Sequence, residues 1–340
     1  MKKIMLTTLI ILLALYGFFW LASIKSYKVD YGISFSKEHA ESLGLDWKQT
    51  YLAMLDELKP KYIRVSATWS ETESEKGKKN SDFVDWQMLE AAKRGVKVTL
   101  VVGQKAPRWP ECHVPGWAND LKSDEYKQAA KDYVKYVVER YRNHPALEIW
   151  QVENEPYIKF RFGECENFDE SLVKEEIDLV HLLDKQRKII ITDSGELSTW
   201  ISASRAGDIF GTTVYRIVMS PSGRYWKYDW LPAGFYKWKA KLFGRSYEDF
   251  FVSELQAEPW FNDSNPTNTV IEEQEKTMNP ERLQKHLDFV QHIGASRAYL
   301  WGVEWWYWMK EKQGDERYWD VIRARQGIRT PDPLRVKEVL

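Results

Sequence analysis

Eight β-rich runs alternate with amphipathic helical stretches along one uninterrupted length of chain, and this predicts an α/β protein built as a closed (β/α)8 TIM barrel. Two further observations favour a single barrel over an open sheet or a pair of domains. Beyond residue 28 there is no Gly/Ser linker, internal repeat or low-complexity tract, and 340 residues with 44% apolar side chains supply ample material for one large core. Eight strands spread over roughly 300 residues also match the size of such a barrel.

The barrel is preceded by a different kind of segment. Lys2 and Lys3 lead into an uncharged stretch from Ile4 to Ile24, closed by Lys25. At about 1.5 Å per residue a helix there would be roughly 31 Å long, close to the ~30 Å hydrocarbon thickness of a bilayer. Phe18, Phe19 and Trp20 lie near its exit, where interfacial aromatics gather. No clean Ala-x-Ala cleavage site surrounds Ala22, so residues 1–26 are expected to be an uncleaved membrane anchor, with a cleaved signal peptide as the alternative. Both readings place the rest of the chain outside the cytoplasm.

The eight runs are 31–36, 62–69, 97–103, 147–153, 188–193, 209–215, 249–255 and 297–303. Segments such as 47–59 and 123–142 carry apolar residues at three- and four-residue spacing, as helices covering a barrel do. The short gap between the fifth and sixth runs still leaves 197–206 for about three helical turns. The barrel domain is expected to span 28–322. Residues 323–340, which include Pro331 and Pro333, are expected to form a poorly structured tail.

Composition removes several functional classes. The net charge is −1 and no long run of like charge offers a nucleic-acid surface. Six histidines occur without His-x-His or His-Glu-x-x-His spacing, and there is no Gly-rich phosphate loop, so no metal or other cofactor is expected. Seventeen tryptophans, 18 tyrosines and 14 phenylalanines suit a core, an interface or a sugar groove, and composition does not choose among them.

The fourth run ends in an unusual way, reading WQVENEP over 150–156. Ionised groups are costly to bury without partners, and strand interiors avoid them. In a barrel, however, chemistry gathers at the C-terminal strand ends, where Asn154 and Glu155 fall. The seventh run offers a partner. Period-two alternation puts Phe250, Val252 and Glu254 on one face, while Glu258 belongs to the following loop before Pro259. Two carboxylates facing one mouth suit glycosidic hydrolysis, which needs a proton donor for the leaving oxygen and a second carboxylate at the oxocarbenium-like centre.

With Asn-Glu closing the fourth run and Ser-Glu the seventh, the chain resembles the clan A retaining glycoside hydrolases over about residues 30–322. The resemblance implies that Glu155 is the acid/base, Glu254 the nucleophile and Asn154 the amide that bonds a sugar 2-hydroxyl. It also implies that Arg64 holds the nucleophile ionised, that Tyr215 bonds it, and that Trp301 floors the cleaved-sugar site. Trp69, Trp305 and Trp306 are candidate sugar platforms, and Glu304 a candidate sugar contact. For Asp193 and Glu196, substrate contact and helix capping are balanced, and His113 is a weaker candidate from the loop after the third run. The expected substrate is a β-linked oligo- or polysaccharide, cleaved with retention and without a cofactor, the two carboxyl groups lying about 5–5.5 Å apart. The rival expectation is a cell-surface carbohydrate-binding or scaffolding protein that keeps the barrel and lacks the chemistry. The aromatic-rich segment 217–247 would then wall a groove or face the membrane under either reading.

Cys112 follows the third run and Cys165 the fourth, and they are the only two cysteines. Neighbouring strands bring those loops together, and export places them in an oxidising compartment, so a Cys112–Cys165 disulfide is expected beside the mouth.

Overall fold

The computed structural model describes residues 1–159, 163, 165, 168–220, 222–260 and 265–328. Its centre is a closed barrel of eight parallel strands. In chain order these are β1 (Asp30–Ser34), β2 (Tyr62–Ser66), β3 (Lys97–Val102), β4 (Leu147–Val152), β5 (Lys188–Asp193), β6 (Ile209–Val214), β7 (Phe250–Gln256) and β8 (Arg297–Trp301). Each strand pairs with the next, and β8 closes the ring on β1 through pairs such as Gly32 with Tyr299. All eight expected runs overlap a barrel strand.

Helices cover the outside because their apolar stripes match the β-rich outer faces. The helix Ser123–Tyr141 buries Tyr126, Ala130, Tyr133, Val134, Val137, Val138 and Tyr141, the three- and four-residue spacing of one helical face. Several helices begin on capping side chains: Asp46 accepts from the Lys48 and Gln49 N–H groups, and Asn279, followed by Pro280, accepts from Arg282 N–H. Inside the ring, Tyr62, Ile149, Ile190, Ile209, Phe251 and Tyr299 form a separate apolar cluster. Arg297 stands among them, 3.4 Å over the Tyr62 ring and paired with Glu148 at 2.7 Å.

Two local expectations are corrected. β2 stops at Ser66, and Trp69 opens a short helical turn, Trp69–Thr72, that carries its ring into the core. The segment 197–206 is helical only over Ala203–Ala206. There, side chains compete for the backbone: Ser198 donates to Asp193, Leu197 N–H reaches Ser194 Oγ, and Trp200 takes a left-handed φ of 70°.

Before the barrel, Lys2–Ala22 forms a single apolar helix of 21 residues, long enough to cross a membrane, with none of its residues buried. Between β6 and β7 an antiparallel hairpin pairs 217–219 with 225–227, and the helix Ala233–Leu242 follows. At the other end, the helix Arg317–Arg325 buries Tyr318, Trp319 and Ile322, so regular structure reaches Arg325. Most of the expected tail, from 329 on, lies outside the described residues.

Candidate active site

The stretch after β4 is shaped by its own polar groups. Glu153 and Glu155 both take left-handed backbone conformations, with φ of 60° and 45°. Non-glycine residues persist there only when their surroundings hold them. Glu153 turns back under the β3 loop, where its carboxylate accepts from Gln104 N–H at 2.9 Å and Lys105 N–H at 2.5 Å. Gly103 makes room, since a Cβ there would stand 2.4 Å from Glu153 Oε1. Glu155 N–H donates to Thr192 Oγ1 on β5 at 2.9 Å. The side chain of Glu155 is thereby presented to the mouth.

Arg64, buried on β2, ties the pieces together. Its Nε donates to Gln151 Oε1 at 2.8 Å, Nη2 to Asn154 Oδ1 at 2.8 Å, and Nη1 to Glu254 Oε1 at 3.0 Å. The other Glu254 oxygen accepts from the Tyr215 hydroxyl at 2.8 Å. Thr213 lies opposite Glu254 in the β6–β7 register, and its hydroxyl reaches Glu155 Oε1 at 3.2 Å. The two strand-end glutamates therefore meet across one threonine.

Their environments differ. Burial, reinforced by the negative charge of Glu254 and then of Glu111, pushes the Glu155 carboxyl well above the usual range and favours its acid form. Glu254 instead forms an ion pair with Arg64. One protonated and one paired carboxyl at a shared mouth is the division of labour that glycosidic cleavage requires.

Both glutamates line a cleft of about 570 Å³, with Asn154, Thr213, Tyr215 and Trp301. Trp305 and Glu196 also border it; Glu196 accepts from Tyr215 N–H at 3.1 Å and is pushed up to about 7 by burial. Asp193 instead closes a local turn with Ser194 N–H and Ser198. Glu304 is fully buried, accepting from Ser36 N–H and from Arg108 at 2.9 Å. His113 lies behind Arg108, between Glu38 at 3.3 Å and the Arg108 carbonyl at 3.3 Å. Trp69 is not at the cleft: it stacks on Tyr133 at 5.7 Å inside the core. Trp306 is buried too, donating to Ala257 O at 2.7 Å.

Sequence reasoning passed over two loop residues. Arg108, with φ of 86°, lays its guanidinium 4.0 Å over the Trp301 ring and pairs with Glu258 and Glu304. His39, Glu258 and Glu304 are close enough to hold a cation, but the guanidinium already serves both carboxylates. Glu111, with φ of 72°, is a further carboxyl lining the cleft and is pushed up to about 7 by burial. Neither has a sequence signature beyond its place in the loop after β3. The next residue, Cys112, is bridged to Cys165 with Cα atoms 5.2 Å apart, as the loop positions predicted. Closing a loop of that length contributes a few kcal/mol in the chain-entropy picture.

Behind the mouth, Glu153 faces Glu176, which is fully buried on the helix Glu170–Leu183. Burial raises both carboxyls; the Glu153 charge raises Glu176 further, while the hydrogen bond from Glu176 lowers Glu153, so the two share one proton. The two backbone donors favour the anion on Glu153, leaving the proton with Glu176. An unfolded carboxyl loses its proton near 4.5, whereas this one keeps it, so the pair makes stability fall as pH rises above that value. Glu176→Gln, which donates without a titrating proton, is expected to gain on the wild type by up to about 1.4 kcal/mol for each pH unit of retained proton. Melting temperatures at pH 5 and 8 check this. A gap between the two proteins that stays constant with pH would refute the shared proton.

A parallel eight-stranded ring that brings Glu155 and Glu254 to one cleft resembles known glycoside hydrolase barrels in fold. The family model Glyco_hydro_42, β-galactosidase, matches residues 118–174, a stretch that holds Asn154 and Glu155. No curated protein sequence matches the chain. Among solved structures, a β-galactosidase from the Antarctic haloarchaeon Halorubrum lacusprofundi is 16% identical with a TM-score of 0.57, over 90% of this chain and 59% of that one. A GH5_18 protein from Bifidobacterium longum, solved with Manβ1-4GlcNAc, is 12% identical with a TM-score of 0.60, over 88% of this chain and 78% of that one. Xylanase 10B from Thermotoga petrophila, solved with xylobiose, is 12% identical with a TM-score of 0.54, over 81% and 82%. This chain spans only 59%, 54% and 51% of the three β-galactosidases it resembles. At these identities the likeness establishes the fold.

Proposed function

We propose that the protein is a retaining β-glycoside hydrolase acting on β-linked oligo- or polysaccharides. The observation that carries this reading is the meeting of a buried Glu155 and an Arg64-bound Glu254 in one cleft. In the first step Glu254 attacks the anomeric carbon while Glu155 gives its proton to the departing glycosidic oxygen. The bond to that oxygen breaks and a glycosyl ester forms on Glu254. In the second step Glu155, now a carboxylate, takes a proton from water, whose oxygen displaces Glu254 and restores the original configuration. Asn154, whose Oδ1 accepts from Arg64 and from Thr192 at 3.3 Å, bonds the sugar 2-hydroxyl in this reading. The family match over 118–174 supports a β-galactoside as the first substrate to try, with β-mannosides and β-xylosides next.

The test is turnover of aryl β-glycosides by the full chain, with the first-formed anomer followed by proton NMR. A β-configured first product supports the two-step path, and an α-configured one overturns it. Saturable sugar binding with no turnover across the panel would favour the carbohydrate-binding alternative.

A further inference from the structure

The insert between β6 and β7 is in contact with the N-terminal helix. Tyr16 donates its hydroxyl to Trp230 O at 3.0 Å, Phe18 meets Trp238 with ring centroids 4.9 Å apart, and Phe19 meets Phe235 edge-on at 5.8 Å. Nearer the helix exit, Gly234 N–H donates to Ser23 Oγ at 2.7 Å and Lys237 donates to Ala22 O at 3.3 Å. The approach depends on Gly234, because a Cβ there would stand 2.1 Å from Phe19 O.

Depth along the helix gives this contact its meaning. Tyr16 lies six residues before Ala22, about 9 Å along the axis. With the helix crossing a bilayer and its exit at the surface, Trp230 reaches the boundary between headgroups and acyl chains. Its side chain is 57% exposed, Trp226 is 55% exposed and Leu242 is 79% exposed, which is costly in water and favourable at that boundary. Lys25 and Lys28 follow the exit in the chain, and Lys241 stands 4.6 Å over the Trp238 ring, supplying cations at headgroup level.

We infer that residues 225–242 form a ledge seated in the bilayer surface, a second attachment beside the helix, and that its partner is lipid. The inference rests on the anchor reading of residues 1–26 and is independent of the proposed hydrolysis. Val218 and Tyr228 of the same insert line the cleft, so the ledge also fixes where the cleft stands relative to the membrane.

The experiment uses the full chain in vesicles of phosphatidylcholine and phosphatidylglycerol whose acyl chains are brominated near the headgroup. Part of the tryptophan emission is expected to be quenched, and Trp230→Phe and Trp226→Phe should each remove a share of the quenched component. Gly234→Val, which separates helix from ledge, should lose the same component with the protein still bound to vesicles through its helix. Quenching equal in wild type and both Trp→Phe variants overturns the ledge. So does an exported protein whose N-terminus begins after Ala22. Failure of the hydrolase reading would appear in turnover and leave quenching untouched.

Discussion

Glu254→Gln is expected to lower kcat by roughly 10⁴-fold or more while the chain still folds, because an amide cannot form the glycosyl ester. The amide keeps an oxygen for Arg64 to bond and presents its NH2 to the Tyr215 hydroxyl, which can accept, so far-ultraviolet circular dichroism should match the wild type. Glu155→Gln should cost roughly 10²–10⁴-fold on a substrate with a poor leaving group. It should cost far less in the first step on a dinitrophenyl glycoside, whose departing oxygen needs no proton. Added azide, an anion that needs no general base, should then release a β-glycosyl azide from the Glu155 variant. Steady-state kinetics and product NMR read all three outcomes. Retention of more than a hundredth of the activity in Glu254→Gln would end the assignment.

Arg64→Met is expected to destabilise the protein by about 3–5 kcal/mol, since it leaves the Glu254 carboxylate in the barrel without its cation. Asn154 and Gln151 lose a donor at the same time. Arg64→Lys keeps the charge but cannot fork to three acceptors, so it should fold and still lose kcat by roughly 10²-fold through misplaced partners. Thermal melts and kcat for the two variants separate the effects. An Arg64→Met protein as stable as the wild type, or an Arg64→Lys protein with full kcat, would show that Arg64 does not organise the site.

What the sequence made legible was whatever repeats or sits at a strand end. β-Rich apolar runs marked every barrel strand, and polar residues interrupting those runs marked the mouth, which is why Asn154, Glu155 and Glu254 could be singled out. The Cys112–Cys165 pairing followed from two neighbouring strands. Less visible were contacts that only the closed ring creates. Arg108 reaches Glu258 and Glu304 from loops far apart in the chain, through a left-handed backbone that no residue type announces. The Glu153–Glu176 pair joins a strand end to a helix that reads as an ordinary amphipathic segment. Trp69 misled because an apolar run continues past Ser66 while the backbone turns inward, and an aromatic ring suits a core as well as a sugar. For 197–206, length left room for a helix, but local serine and aspartate hydrogen bonds hold most of it in turns.

The Cys112–Cys165 bridge also gives the cleft a dependence on cellular geography. The barrel's strands are closed by backbone pairing alone and need no cross-link. The wall beside Glu111 does carry one, and thiols in the cytoplasm stay reduced. A chain with reduced thiols would therefore own a complete ring and lack a complete rim. An oxidising compartment would supply the missing fastening, so the cleft would be fully secured only there.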